Sequence, residues 1–350
     1  MRLRWSYDIG GIGKTYGYAK ANRELRAAVL RAGAELRDDD NAPVALAFAP
    51  AHLYQRRPNP VNVLFTMFEA DRLPPEFLAG ARLADRLIVP CAHNQRALAG
   101  YNLDSQVCPL GFDPAAFPYR ERASADYADA TDFNRRNRRN LRISPRFRFL
   151  WLGAPDVRKG WDIAVAAFQA EFRPWEPVEL YVKTTAAAQD QHLASHGGKV
   201  HFDGRNLDES SIRLLYESAQ AFVFPSRGEG FGLTALEAMA SGCLVIAPSH
   251  TGLAEFVTPR TAFVVSTRRR QAEYGVPIVV DEPDPRHLRR LMRRAYADYA
   301  ATRELRAQAA ALARWAFTWD HAALRLIEIL QGWNDPQIAQ MTPIESAQSA

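Results

Sequence analysis

Apolar residues in this chain recur in two registers that take turns. Short runs rich in β-branched and aromatic residues, Val44–Ala49, Val61–Phe65 and Leu87–Val89, predict strands in the first third. Lys20–Ala32 and Pro75–Ala84 repeat their apolar residues every three or four positions and predict helices. Leu110-Gly111-Phe112-Asp113 closes this part. A second series opens at Phe147–Gly153, a strand that runs into a glycine turn. It continues with a helix over Trp161–Phe172 and strands over Val178–Lys183, Val200–Phe202, Ala221–Phe224 and Leu244–Ala247. Within Arg286–Arg294, the residues Leu288, Leu291 and Met292 form the core-facing stripe of a further helix. A long helix follows from Ala307 to Leu330, with a break near Phe317–Asp320. Beyond Trp333 the tail is polar and is expected to fray.

Alternation of this kind predicts parallel sheets flanked by helices: an α/β fold of two doubly wound domains facing each other across a cleft. The first domain is read over 1–118 and the second over 147–312. Residues 119–146 form a basic linker or loop, and 313–332 a helix that packs back toward the first domain. At 350 residues the chain is long enough for two separate cores. With 47 % hydrophobic and 24 % charged residues, it reads as globular rather than disordered. The start, MRLRWSYDIGG, lacks the apolar run of a secretory signal, and no run of eighteen apolar residues predicts a membrane span. A cytoplasmic location is the expectation. Cys91, Cys108 and Cys243 are far apart and odd in number, so they read as small core residues.

Charge changes the picture in one place. Nine arginines between Tyr119 and Arg148 face four acids, an excess equal to the whole net charge of +5. Two readings stay open: a solvated linker, or a patch for acidic partners such as the inner membrane surface or nucleic acid.

The stretch most informative about chemistry is Phe224–Gly242, FPSRGEGFGLTALEAMASG. A buried strand stops at Pro225, and Gly228, Gly230 and Gly232 strip side chains from the turn that follows. Thr234 is read as the N-cap or a first-turn residue of a helix over Ala235–Ala240, ended by Gly242. Bare amides at the positive end of a helix suit a diphosphate. Glu229 and Glu237 frame the turn, eight positions apart. A second phosphate-facing turn is Leu152–Trp161, LGAPDVRKGW, where Arg158 and Lys159 precede a helix.

This arrangement, P-S-x-x-E-G-F-G-L-x-x-L-E-A-M-A-x-G, resembles the donor site of glycosyltransferase family 4 with its E-x7-E motif. The resemblance spans Gly10 to about Trp319 and implies a GT-B fold, with retaining transfer from a UDP- or GDP-sugar and neither cofactor nor metal. By that resemblance Glu229 faces donor-sugar hydroxyls and Glu237 holds the ribose. Gly230, Phe231, Gly232 and Leu233 contact sugar and phosphate through their amides. Lys159, with Arg158 beside it, neutralises the leaving diphosphate. The family's arginine just after the first glycine of that turn is Ala154 here. Gly10 and Gly11 match a Gly-Gly near substrate or donor phosphate. Phe65-Thr66-Met67-Phe68-Glu69 resembles the segment that approaches the reacting carbon, with Glu69 where some members have histidine. His93 follows the turn at Val89-Pro90, and the backbone around Arg205 lies where the family grips the base. The acceptor is left as a glycan, a glycolipid or a modified nucleic acid.

Other classes fit less well. Gly10–Thr15 reads G-G-I-G-K-T, but the glycine that a P-loop needs first is Asp8, which would set a carboxylate beside phosphate. Asp38-Asp39-Asp40 adjoins Asn41 and Pro43, so it reads as a solvated turn rather than a metal site. No G-x-G-x-x-G opens the first unit as a dehydrogenase would require. A nucleotide-sugar-binding protein without activity remains a third reading.

Overall fold

A computed structural model describes residues 1–6, 16–37, 40–121, 146–185, 199–273 and 277–333. Gly10, Gly11, the P-loop-like stretch, Asp38, Asp39, residues 122–145 of the basic segment and the tail from 334 lie outside the described residues. The chain forms two compact units. One comprises 1–111, 273–278 and 317–350, the other 112–272 and 279–316.

In the first unit, β1 (Arg2–Ser6), α1 (Tyr16–Arg31), β2 (Glu35–Leu36), β3 (Val44–Phe48), β4 (Val61–Phe65), α2 (Pro75–Ala81), β5 (Arg86–Val89), α3 (Ala92–Ala99) and β6 (Gln106–Val107) follow in order. Their six strands are parallel in the order β2-β1-β3-β4-β5-β6. Every residue of β3 is buried, as a strand covered on both faces must be.

The second unit holds β7 (Phe147–Leu152), α4 (Trp161–Glu171), β8 (Val178–Lys183), β9 (Val200–Asp203), α5 (Glu209–Ser218), β10 (Ala221–Val223), α6 (Leu233–Ala240), β11 (Leu244–Pro248) and β12 (Phe263–Val265). These strands too are parallel, ordered β12-β11-β10-β7-β8-β9. A separate two-stranded sheet, β13 (Thr267–Glu273) with β14 (Pro277–Pro283), precedes α7 (Pro285–Ala297) and α8 (Arg303–Ala316). The last helix, α9 (Trp319–Gly332), packs on α1 in the first unit. Thr318 caps it, with its hydroxyl accepting the His321 N–H at 3.2 Å. Gly111 meets the Thr318–Trp319 backbone so closely that a Cβ there would lie 2.3 Å from the Thr318 carbonyl carbon.

Several sequence expectations shift at their ends. The helix read over Pro75–Ala84 stops at Ala81, and the one read from Lys20 begins at Tyr16. The long C-terminal helix is two helices, α8 starting at Arg303 and α9 at Trp319, parted at Phe317-Thr318. Cys91, Cys108 and Cys243 are free and buried.

A buried charge cluster ties the strands of the second sheet. Glu179 on β8 is 9 % exposed and accepts from Arg148 Nε at 2.7 Å, with His201 Nε2 at 3.5 Å. Burial pushes its carboxyl up, but His201 and Arg148 outweigh that and bring it down to about 2. The carboxylate therefore stabilises the fold above its unfolded value of 4.5, and this contribution fades as pH falls toward 2. Glu179→Gln should cost about 2 kcal/mol at pH 7, a gap that closes between pH 4.5 and 2. Urea unfolding across that pH range measures it.

Candidate functional site

In the second sheet the chain runs outward from β7 to β9, then returns to the other side of β7 for β10 to β12. The carboxyl ends of β7 and β10 therefore flank the switch point where open α/β sheets bind ligands. Both candidate turns arise there. After β7, Asp156 caps a 3-10 turn over Val157–Lys159 by accepting the Arg158 N–H at 2.8 Å. Gly160 closes that turn at φ 72°, and a Cβ on it would lie 1.9 Å from the Pro225 carbonyl oxygen. The two strand ends are thus in backbone contact. The Arg227 N–H donates to the Arg158 carbonyl at 2.7 Å, and the Trp151 indole donates to the Lys159 carbonyl at 3.2 Å.

This contact joins opposite charges. Glu229 is 4 % exposed, and Lys159 Nζ donates to its two oxygens at 2.7 and 2.6 Å. Ser226 Oγ donates to Oε1 at 2.8 Å, and Arg158 Nη1 lies 3.5 Å away while donating to the Gly228 carbonyl. Burial pushes the Glu229 carboxyl up, but the Lys159 and Arg158 cations hold it below its ordinary value. Lys159, Arg158 and Glu229 are therefore brought together.

Helix α6 begins at Leu233, two residues earlier than the sequence suggests. Its N-cap is Gly232 at φ 102°, not Thr234, which lies in the first turn. Gly232 can take that conformation because it has no Cβ, and a Cβ would lie 2.5 Å from the Leu253 side chain. No side chain caps this helix end. Phe231 is buried against Phe256, with ring centroids 5.7 Å apart. Glu237 is fully buried, and the Tyr216 hydroxyl donates to its Oε2 at 3.1 Å.

Two residues that sequence reasoning passed over hold the loop in place. Arg227 Nη1 and Nη2 donate to Asp162 at 2.9 and 2.8 Å, and Nε and Nη2 donate to Glu282 at 2.8 and 2.9 Å. One guanidinium thus ties the loop to α4 and β14. Thr251 has φ 50°, a rare conformation for a β-branched residue, and its hydroxyl accepts the Glu229 N–H at 3.0 Å. A Cβ on Gly252 beside it would lie 2.4 Å from the Phe231 Cα.

Arg205 stands apart from this group. It folds onto Asp203, with Nε at 3.0 Å and Nη2 at 2.7 Å, at the carboxyl end of β9. Beside it, buried Lys183 donates to the carbonyls of Thr184, Asp203 and Arg205. In the first unit, Glu69 lies on a clamped loop. Tyr18 Oη donates to the Met67 carbonyl at 2.8 Å and accepts its N–H at 2.9 Å. Buried Asn94 bonds both backbone groups of Phe68, and His93 Nε2 lies 3.2 Å from the Ala70 carbonyl. Asp40 pairs with Arg4. Among the described residues, no group of three or more His, Cys, Asp or Glu is placed to hold a metal ion.

A family model described as "Family 4 Glycosyltransferase in conflict systems" matches residues 128–326. Mannosylfructose-phosphate synthase of Agrobacterium fabrum is 30 % identical over 209 residues, which are 54 % of this chain and 42 % of that protein. The serotype-specific mannosyltransferase WbdA of Escherichia coli is 33 % identical over 188 residues, 51 % of this chain and 21 % of its own. The chain thus spans less than half the length of these curated relatives. Sucrose-phosphate synthase from Thermosynechococcus elongatus superposes with TM-score 0.69 at 18 % identity, covering 95 % of this chain and 99 % of that one. An Anabaena protein solved with UDP-glucose gives 0.70 at 15 % identity, covering 95 % and 100 %. These likenesses show the fold: two Rossmann-like α/β domains of the GT-B class.

Arg227→Ala should leave Asp162 and Glu282 without their shared cation and cost about 2–4 kcal/mol. Arg227→Lys should recover only part of this, because an ammonium cannot bridge two carboxylates bidentately. Thermal and urea unfolding of both variants check it.

Proposed function

This chain belongs to the family 4 glycosyltransferases of conflict systems, and we propose that it moves a sugar from a nucleoside-diphosphate sugar to a hydroxyl acceptor with retention. The observation that carries the reading is Lys159 held on Glu229 at the switch point of the second sheet. A fixed cation there stabilises the charge that builds on a departing diphosphate. The names of the relatives support sugar transfer, and a sugar nucleotide as donor is supported by the GDP-mannose named for a relative from Mycobacterium tuberculosis and by the UDP-glucose of the Anabaena structure.

In this scheme the donor diphosphate takes Lys159, with Arg158 beside it, as its counter-ion. The amides of Gly230, Phe231, Gly232, Leu233 and Thr234 at the start of α6 complete that cradle. Glu229, released from Lys159, accepts hydrogen bonds from donor-sugar hydroxyls. Glu237 takes the ribose diol, which requires its carboxylate to turn from Tyr216. Arg205 lies at the base end, and Gly10, Gly11 and Glu69 belong to the acceptor-side domain. The acceptor oxygen forms its bond to the anomeric carbon on the face from which the diphosphate leaves. The sugar–phosphate bond breaks as this happens, and the acceptor proton passes to a diphosphate oxygen. No metal enters the scheme.

Incubation with a panel of UDP- and GDP-sugars tests this, read as thermal shift and donor hydrolysis. One donor should stabilise the protein. Lys159→Ala should lower turnover about 100-fold or more while the donor-induced thermal shift persists. Glu229→Ala should weaken both. Full rates in both variants, no shift with any nucleotide sugar, or a product of inverted configuration by NMR would sink the proposal.

A further inference from the structure

Helix α7 carries arginines in three directions, and the structure sorts them. Leu288, Leu291, Met292 and Ala295 are buried in the unit's core. Arg289 and Arg293 turn toward α4, where Arg293 Nε bonds Glu171 at 2.9 Å and Arg289 Nε lies 3.2 Å from the same carboxylate. Arg286, Arg290 and Arg294 remain, all exposed, at i, i+4 and i+8. Steps of four residues put them on one face about 6 Å apart along the axis. Among the described residues none of the three has a carboxylate within ion-pair distance, and Arg294 instead lies over the Phe263 ring, 4.6 Å from its centroid.

Strand β13 extends this row. Arg268, Arg269 and Arg270 are exposed, and Arg268 Nη2 approaches Asp284, the N-cap of α7, at 3.9 Å. Arg270 lies 3.7 Å from Glu282, a carboxylate that Arg227 already holds with two bonds. The carboxylates nearest Arg268 and Arg270 are both already engaged: Asp284 accepts the Arg286 and His287 N–H groups at the start of α7, and Arg227 holds Glu282. On the α4 flank, Trp175 is 79 % exposed, next to Glu176, which Arg293 holds.

We infer that the β13–α7 face is a docking surface for a nucleic-acid strand. Guanidinium groups in a row at this spacing fit successive phosphates, and arginine binds phosphate bidentately. On the α4 flank of the same helix, the exposed Trp175 indole, next to the Glu176 that Arg293 holds, offers a ring on which a base can stack. A membrane fits less well, because a helix that lies in an interface buries its apolar face in lipid, and that face of α7 is packed inside the protein. The surface also connects to the loop after β10 through Arg270, Glu282 and Arg227. This inference does not depend on the donor assignment above.

Fluorescence anisotropy with a labelled single-stranded oligonucleotide over a salt series tests it. Wild-type protein should bind, with log K falling linearly in log salt. The triple variant R286A/R290A/R294A should bind at least ten-fold more weakly, with a slope shallower by about two, as expected at roughly 0.7 per phosphate released. The triple lysine variant should keep the slope, and Trp175→Ala should weaken binding without changing it. Melting temperature and donor-induced thermal shift should be the same in all of them, which separates this outcome from failure of the donor site. No oligonucleotide binding, binding unchanged in the triple alanine variant, or capture by anionic phosphatidylserine vesicles in its place would overturn the inference.

Discussion

Glu229 is a carboxylate nearly sealed from water, and its charge is maintained by Lys159 with help from Arg158 and Ser226. Removing solvent from such a pair costs free energy that the contact itself only partly offsets, so it contributes little to stability. What it does provide is a fixed position for two opposite charges. The surrounding structure can be understood as the means of holding them there. Gly160 lets the turn after β7 touch Pro225, Arg227 anchors the loop from both flanks, and Thr251 orients the Glu229 backbone. A ligand carrying negative charge would compete with Glu229 for the same cation, so occupancy and loop position are coupled.

Among the described residues of the second unit, three of the four with positive φ gather around this pair, the fourth being Gly242 just after α6. Gly160, Gly232 and Thr251 all have positive φ, and all three lie in or against the two turns. For the glycines the conformation is cheap, and the close approaches at Pro225 and Leu253 explain why a side chain is excluded. For Thr251 it is not cheap. The neighbouring Gly252 is pressed on the Gly230–Phe231 backbone and leaves the threonine little freedom.

How much of this could be read beforehand depended on how local each signal is. Strands β3, β4 and β11 stand out as mostly apolar runs because both faces of each sheet are covered. The pair β13–β14 escaped because TRRRQAE carries no alternating apolar pattern. Helix α6 begins two residues before the sequence pattern places it, with Thr234 in its first turn, because a helix can begin on a left-handed glycine without a capping side chain. Glycine turns marked where Lys159 and Glu229 lie, but their direct pairing is a tertiary fact. Arg227 carries no local signal, since its partners are 65 and 55 residues away. The burial of Glu237 against Tyr216 was equally invisible, because it depends on how α5 packs against α6.

The return of α9 to α1 gives the two units unequal standing in sequence. Apart from the tip of the β13–β14 pair, the second unit is one uninterrupted stretch, 112–316, whereas the first is made of pieces from either side of it. A fragment encoding the second unit can be cut with two ends and no internal splice. To isolate the first, residue 111 must be joined to 317, and the approach of Gly111 to the Thr318 backbone shows that a very short splice would reach.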